Sequence, residues 1–209
     1  MPATKRLSRE EAKERTREKL LAAGRKIFAT RGLEGTQIRD VIGEAGLAIG
    51  TFYLHFKSKE ELFVAIVEES AARLRQRSRA ARRGTGEAGT PTVEQRVENA
   101  CRAFCEFVVE ERDFFRVLFQ TDFGAGGRKT SRRLNEIATQ ELREDIEESF
   151  ELNYLAPDDR DRLAGAIIGL CTAEGFRIAS QKHPDVDAST RFLTRMILGG
   201  TLALAQGDK

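Results

Sequence analysis

Residues 36–59, Thr-Gln-Ile-Arg-Asp-Val-Ile-Gly-Glu-Ala-Gly-Leu-Ala-Ile-Gly-Thr-Phe-Tyr-Leu-His-Phe-Lys-Ser-Lys, constrain this chain more than any other stretch. Thr36 follows two helix breakers, Gly32 and Gly35, and stands where an N-cap is expected. Ile38, Val41 and Ile42 recur at helical spacing, which predicts a short helix. Gly46 falls where a tight turn requires positive φ. A second short helix is predicted over Leu47–Tyr53, with Ala48, Gly50 and Thr51 as small outward positions. Two short helices joined by a glycine turn read as a helix-turn-helix, and small outward residues let such a helix lie deep in a DNA major groove. Tyr53, His55, Lys57 and Lys59 then offer polar or cationic tips suited to phosphates.

Residues about 15–68 resemble the N-terminal domain of TetR-type (tetracycline-repressor-like) transcription regulators. The resemblance is carried by Ile27-Phe28, Gly32, Thr36, Ile38, Asp40-Val41 and Ala45-Gly46-Leu47. It continues through Gly50-Thr51-Phe52-Tyr53, His55-Phe56, Lys57-Ser58-Lys59 and Glu61-Leu62-Phe63. It covers about a quarter of the chain. Ala48 departs from the pattern, standing where many relatives carry Ser or Thr.

Charge is distributed in keeping with this reading. Residues 1–59 hold 13 Lys/Arg against 7 Asp/Glu, whereas residues 60–209 hold 22 against 26. The basic excess therefore lies on the segment expected to meet DNA. Arg6, Arg9, Lys13 and Arg17, toward the N-terminal end of a first helix predicted over about Ser8–Thr30, are placed to reach phosphates. That helix has an inward face of Leu20, Ala23, Ile27 and Phe28. Within the reading segments, Gln37, Arg39, Ala48, Ile49, Gly50 and Thr51 are the candidates for base edges or groove fit. Thr36, Tyr53, His55 and Lys59 are the candidates for phosphate. Ile38, Val41, Leu47, Phe52 and Phe56 are read as core.

Forty per cent apolar residues supply a core for the rest. A fourth helix starts after Ser58, with Glu61 at the capping-box position, and carries Leu62, Phe63, Ile66, Val67 and Leu74 toward an Arg-rich run. Residues 84–92 read as a loop. Helices are then predicted from Val93 to about Val108, over Asp113–Thr121, along Leu134–Phe150, over about Asp158–Gln181 and over about Ala188–Ala205. The chain reads as all-α. Residues 1–58 are expected to form a helix-turn-helix DNA-binding domain with a basic N-terminal arm, and residues 59–209 a helical ligand-binding and dimerisation domain.

The last two predicted helices offer apolar and small residues for a homodimer, with Leu163, Ile167, Leu170, Phe192, Met196 and Gly199 as interface candidates. The resemblance implies that paired helices form a four-helix bundle between two chains. It also implies a cavity for a hydrophobic small-molecule effector, for which Phe104, Phe107, Phe115, Phe119, Phe123, Phe150 and Phe176 are the candidate lining. Phe114 belongs to the same aromatic set. A fatty acid or an acyl-coenzyme A suits such a lining, and the basic cluster Arg128-Lys129 with Arg132-Arg133 is a candidate for coenzyme A phosphates. The expected mechanism is linkage: an effector that favours a tilted fourth helix takes two reading heads off the spacing of a palindromic double-stranded DNA operator, with repression as the default.

Rival classes are a DNA-binding regulator with no small-molecule ligand and, less well supported, a helical enzyme. No catalytic pair, metal site or cofactor motif is recognised. Cys101 and Cys105 lie four apart on one helix face and are read, with Cys171, as unpaired thiols. No signal peptide and no apolar run near the length of a membrane span is seen, so a cytoplasmic protein without membrane contact is expected.

Overall fold

A computed structural model describes residues 8–83, 90–121 and 155–206, with residues 136, 139, 140, 142–144 and 147 between them. Eight helices are delimited among the described residues: α1 (Arg9–Arg31), α2 (Ile38–Ala45), α3 (Ile49–Tyr53), α4 (Lys59–Arg83), α5 (Val93–Glu110), α6 (Arg112–Thr121), α7 (Pro157–Ser180) and α8 (Val186–Gln206). No strand occurs among the described residues. The helix predicted over Leu134–Phe150 falls largely outside them. The chain divides into two compact units, Met1–Glu69 and Ser70–Lys209, with the division inside α4. The boundary expected from sequence lay at 58/59, at the start of that helix.

The first unit is built on α1. Ser8 caps it: its Oγ accepts the Glu11 amide at 3.1 Å, and the Glu11 carboxylate accepts the Ser8 amide at 2.7 Å. This reciprocal pair satisfies two donors that a helix start leaves open. Gly32 ends α1 at φ 70°, donating its amide to the Phe28 carbonyl at 2.8 Å. Leu20, Leu21, Ala23 and Phe28 of α1 are buried with Val41, Phe52, Phe56, Leu62, Phe63, Ile66 and Val67. Phe28 and Phe63 meet edge to face at 5.4 Å, an arrangement favoured by the ring quadrupoles. Gly24 makes the approach of α1 to α4 possible: a Cβ there would lie 2.8 Å from Leu62 Cδ2 and 3.0 Å from Ile66 Cδ1. Ion pairs at the rim tie α1 to α2 (Lys26–Glu44, 2.7 Å; Arg31–Asp40, 2.8 Å) and α1 to α4 (Arg25–Glu69, 3.3 Å).

In the second unit, α5 packs along α8 and α7. Thr92 and Gln95 form a capping box at its start. Val97, Cys101, Cys105, Phe107 and Val108 of α5 share a core with Phe115, Ile178, Ala179 and Leu193. Burial pushes the thiol of Cys101 up to about 12 and that of Cys105 up to about 11, and raises Cys171 as well, so all three stay protonated at neutral pH. Polar ties fix the helices laterally. Arg77 of α4 donates to Glu106 and Glu110 of α5, at 2.9 and 2.6 Å. Arg102 pairs with Asp187 of α8 at 2.6 Å, and Arg112 donates to the carbonyls of Ala179, in the last turn of α7, and of Lys182, just beyond it. Arg177 holds the buried Glu174 through two bonds, at 2.6 and 2.9 Å, and reaches Ser189 of α8 at 2.7 Å. These bonds keep the Glu174 carboxyl ionised, below its ordinary pKa, against the opposing pull of burial.

One expectation is corrected here. Helix α7, 24 residues, is long and apolar enough to cross a membrane by length and composition, although a third of its most apolar window is buried inside the fold. The sequence reading passed over it because Gly, Ala and Thr dilute the large apolar residues of that run.

Gly24→Val places two γ-carbons where Leu62 and Ile66 already stand. It is expected to destabilise the protein by about 1–3 kcal/mol, the usual cost of overpacking a filled core. Chemical denaturation followed by circular dichroism reads the effect.

Candidate nucleic-acid interface

Helices α2 and α3 and the turn between them present the reading surface. Gly46 takes φ 65°, ψ 38°, the left-handed conformation expected of it, and the Leu47 amide closes onto the Ile42 carbonyl at 3.0 Å. Val41, Phe52 and Phe56 are buried, and Ile38 and Leu47 half-buried, so the residues read as core anchor the motif from beneath. Phe52 packs edge to face on Tyr53 (5.5 Å) and tilted on Phe56 (5.9 Å). That anchorage turns the other face of α3 outward. Ala48, Ile49, Gly50 and Tyr53 are exposed, Ile49 at 53% and Tyr53 at 55%, and Thr51 is half-buried. Gln37 and Arg39, at the start of α2, are exposed as well. A Cβ built on Gly50 would meet nothing within 4 Å, so the fold itself does not require glycine there.

The helix starts differ from the sequence reading. Helix α2 begins at Ile38 with Gln37, not Thr36, at the N-cap, and the Asp40 carboxylate accepts the Gln37 amide at 2.9 Å. That bond, ahead of the Arg31 pairing, holds Asp40 below its ordinary pKa. Thr36 is 1% exposed and donates its hydroxyl to the Gly32 carbonyl at 2.7 Å, so its side chain closes the α1–α2 turn and does not face outward to phosphate. Helix α3 begins at Ile49, two residues later than expected, with Ala48 at the N-cap and no side-chain acceptor for its first amides. At the start of α4, Ser58 Oγ accepts the Glu61 amide at 3.3 Å, while the Glu61 carboxylate accepts the amide of Lys57 at 2.7 Å.

Lys59 also occupies a different place. Its ammonium donates to three backbone carbonyls: Leu33 at 2.8 Å, Thr36 at 3.1 Å and Glu34 at 3.2 Å. An ammonium has three protons, so its donor capacity is spent on the turn that leads into α2. The lysine positions the reading helices and is not available as a phosphate ligand in this arrangement. Nothing in residue spacing marks this role, because the carbonyls lie 23 to 26 residues away in sequence.

His55 is half-buried beside Phe56. Burial, then the positive field of Lys13 and Arg17 from α1, lowers its pKa, against a smaller opposing effect of Glu14. Arg17 stacks over the Phe56 ring at 5.7 Å. The structure thus gathers Lys13, Arg17 and His55 at the edge of the reading surface. Lys13 and Arg17, from a helix distant in sequence, belong beside the predicted contacts from α3.

The candidates in the second unit separate. Phe107 and Phe115 are buried against each other, edge to face at 6.0 Å, and Phe104 packs half-buried on the same core. Phe176 instead stands 50% exposed on α7. Phe123, Phe150, Arg128, Lys129, Arg132 and Arg133 lie outside the described residues, as does the side chain of Phe119. Of the interface candidates, Phe192, Met196 and Gly199 are exposed on α8. Leu163 is buried against Leu155 and Ile167, and Leu170 packs on the main core, so the inward stripe of α7 is already occupied within the chain. Its outward face is instead Gly165, Ala166, Gly169, Ala173 and Phe176.

An all-α chain with an exposed, glycine-bearing second helix of a helix-turn-helix defines a DNA-binding transcription regulator. Residues 20–66 match the family of bacterial regulatory proteins, tetR family. The chain is 24% identical over 172 residues to the uncharacterized HTH-type transcriptional regulator YdgC of Bacillus subtilis (strain 168), covering 81% of this chain and 85% of that protein. Among solved structures it is similar to a TetR-family transcriptional regulator from Pectobacterium atrosepticum (26% identity, 95% and 97% of the two chains, TM-score 0.65). It shares its fold with the fatty acid degradation regulator FadR from Bacillus halodurans (19% identity, 88% and 95%, TM-score 0.70). Residues 20–66 thus carry a DNA-binding domain of the tetR family, and the chain is similar over most of its length to regulators of that kind.

Two outcomes test the local geometry. Lys59→Met leaves three carbonyls of the α1–α2 turn without their donor, and is expected to lower stability by about 1–3 kcal/mol, read by thermal unfolding with and without operator DNA. For His55, a depressed pKa means that the unfolded chain takes up its proton first as pH falls. Stability is then lost from the ordinary histidine pKa of about 6.5 downward, until the folded pKa is passed. A proton NMR titration that finds His55 titrating below the ordinary histidine value of about 6.5 checks the direction.

Proposed function

We propose that the protein is a homodimeric, ligand-responsive repressor that binds a palindromic operator and is released from it by a small-molecule effector. The observation that carries the DNA half of this reading is the outward face of α3, where Ala48, Ile49, Gly50 and Tyr53 stand exposed next to Gln37 and Arg39. Gly50 lets the helix backbone approach base edges, Gln37 and Arg39 supply hydrogen bonds to them, and the Tyr53 hydroxyl and the Lys13, Arg17 and His55 cluster meet phosphate. A phosphate beside His55 offsets the field that depresses it, so operator binding takes up a proton.

One head makes few contacts at cellular salt; two on a dimer read two half-sites. The exposed apolar side chains Phe176, Phe192, Met196 and Leu202, set among Gly165, Gly169, Gly199 and Gly200, support α7 and α8 as the surface that pairs with a second copy. The glycines permit close helix approach. The same pairing accounts for the apolar character of α7 in a cytoplasmic protein. In this assignment the reading unit is the N-terminal one, and the effector and the partner copy bind the unit that begins at Ser70. Effector control is linkage: a ligand that prefers the conformation unable to span the operator weakens DNA binding by its ratio of affinities, typically about 1–3 kcal/mol. Similarity in fold to a fatty acid degradation regulator supports an acyl compound as effector.

Fluorescence anisotropy of labelled DNA from upstream of the protein's own gene, with fatty acids and acyl-coenzyme A thioesters added, tests the reading. Selective, salt-sensitive binding reversed by one of them is the expected result. Binding that nothing reverses removes the effector from the proposal. Gly50→Leu isolates the reading surface: the site has open space and helix propensity improves, so the fold is expected to be unchanged or slightly more stable. Operator affinity is expected to fall at least about tenfold, equivalent to about 1.4 kcal/mol. Retained affinity would show that α3 does not enter the groove.

A further inference from the structure

Between Ala45 and Lys57 the chain holds no Lys, Arg, Asp, Glu, Asn or Gln. Those are the side chains that identify guanine, adenine or cytosine through hydrogen bonds in the major groove. Helix α3 lies wholly within that stretch, and its outward face is apolar instead. Ile49 is 53% exposed, and Leu54, at 78%, is the most exposed large apolar side chain among the described residues. Leu54 is the C-cap of α3 and keeps helical φ −74° and ψ −18°, so it continues the face of Gly50, four residues before it. Ile49 and Tyr53 stand four apart beside them. Singly exposed apolar residues are ordinary, but Ile49, Tyr53 and Leu54 form a patch within six residues of chain. The backbone between them is bare at Gly50, where a Cβ would meet nothing within 4 Å.

We infer that α3 selects thymine through its C5-methyl group, with Ile49 and Leu54 as the contacting side chains. The inference rests on the DNA reading above and deepens it: it brings Leu54 into the interface and names the base that α3 recognises. Apolar surface of this kind has one counterpart on the floor of the major groove, the thymine methyl. The polar groups of the reading unit lie to the side of this patch. Lys13, Arg17 and His55 form a cationic edge that suits phosphate, and Gln37 and Arg39 come from the start of α2. Position on the duplex is thus set by charge at the edge, and the base under α3 by apolar contact.

The test uses the full-length protein and a duplex that it selects from a random-sequence pool. Each thymine of the selected half-site is then replaced by deoxyuridine, which keeps every hydrogen-bonding edge and loses only the methyl. Anisotropy is expected to show a loss of about three- to tenfold at one or two thymines, the size of one methyl taken from an apolar contact. Added salt is expected to weaken binding of both duplexes while leaving their ratio unchanged, because the methyl carries no charge. Ile49→Ala and, separately, Leu54→Ala are expected to bind the thymine duplex more weakly and to abolish the difference at one thymine each. Both side chains are exposed, so circular dichroism is expected to match the parent protein. Deoxyuridine tolerated at every position, or half-sites in which no thymine recurs, overturns the inference and leaves the DNA reading standing. A thymine preference that both variants retain in full assigns the methyl to other contacts and also overturns it. A pool from which no sequence is enriched defeats the DNA reading itself, and this inference with it.

Discussion

The reading unit depends on how closely α1 can approach α4. Gly24 faces Leu62 and Ile66 with no Cβ between them, and this sets the distance at which Phe28 meets Phe63. Once those two helices are seated, the buried side of the motif is defined. Val41, Phe52 and Phe56 have one apolar surface to pack against, and their burial orients α2 and α3. The outward face of α3 follows from that burial, because on a helix of five residues every side chain excluded from the core is displayed.

Electrostatics completes the placement. The Lys59 ammonium gathers the carbonyls of Leu33, Glu34 and Thr36, so the turn entering α2 is held from the first residue of α4. A cation used in this way is removed from the DNA-facing inventory, and the positive field at the edge of the reading surface comes from Lys13 and Arg17 instead. In the second unit, arginines also serve as crosslinks: Arg77, Arg102, Arg112 and Arg177 each join two helical segments.

Much of the reading unit is legible in the sequence because its signals are local. Gly32, Gly46 and the periodicity of Leu20, Phe28, Leu62 and Phe63 each act over a few residues, and the structure places them as expected. Thr36, Lys59 and Phe176 stand in surroundings other than those the sequence suggested, for one shared reason. Each has a residue type compatible with two environments, and only the partner in space distinguishes them. Threonine beside a breaker can cap a helix or close a turn; here Gly32 O takes its hydroxyl. Phenylalanine among apolar neighbours can line a core or stand outside it; α7 rotates Phe176 outward and Leu163 inward.

The sequence by itself determined the all-α class and the helix-turn-helix, since helical period, caps and a glycine turn are properties of short windows. Tertiary structure alone decided which stripe of α7 faces its own core and which lysine is spent on backbone carbonyls. Those outcomes depend on contacts between segments tens of residues apart, such as Leu33 with Lys59 or Arg102 with Asp187. No local pattern encodes such contacts, because the free energy that selects them arises only when the helices pack.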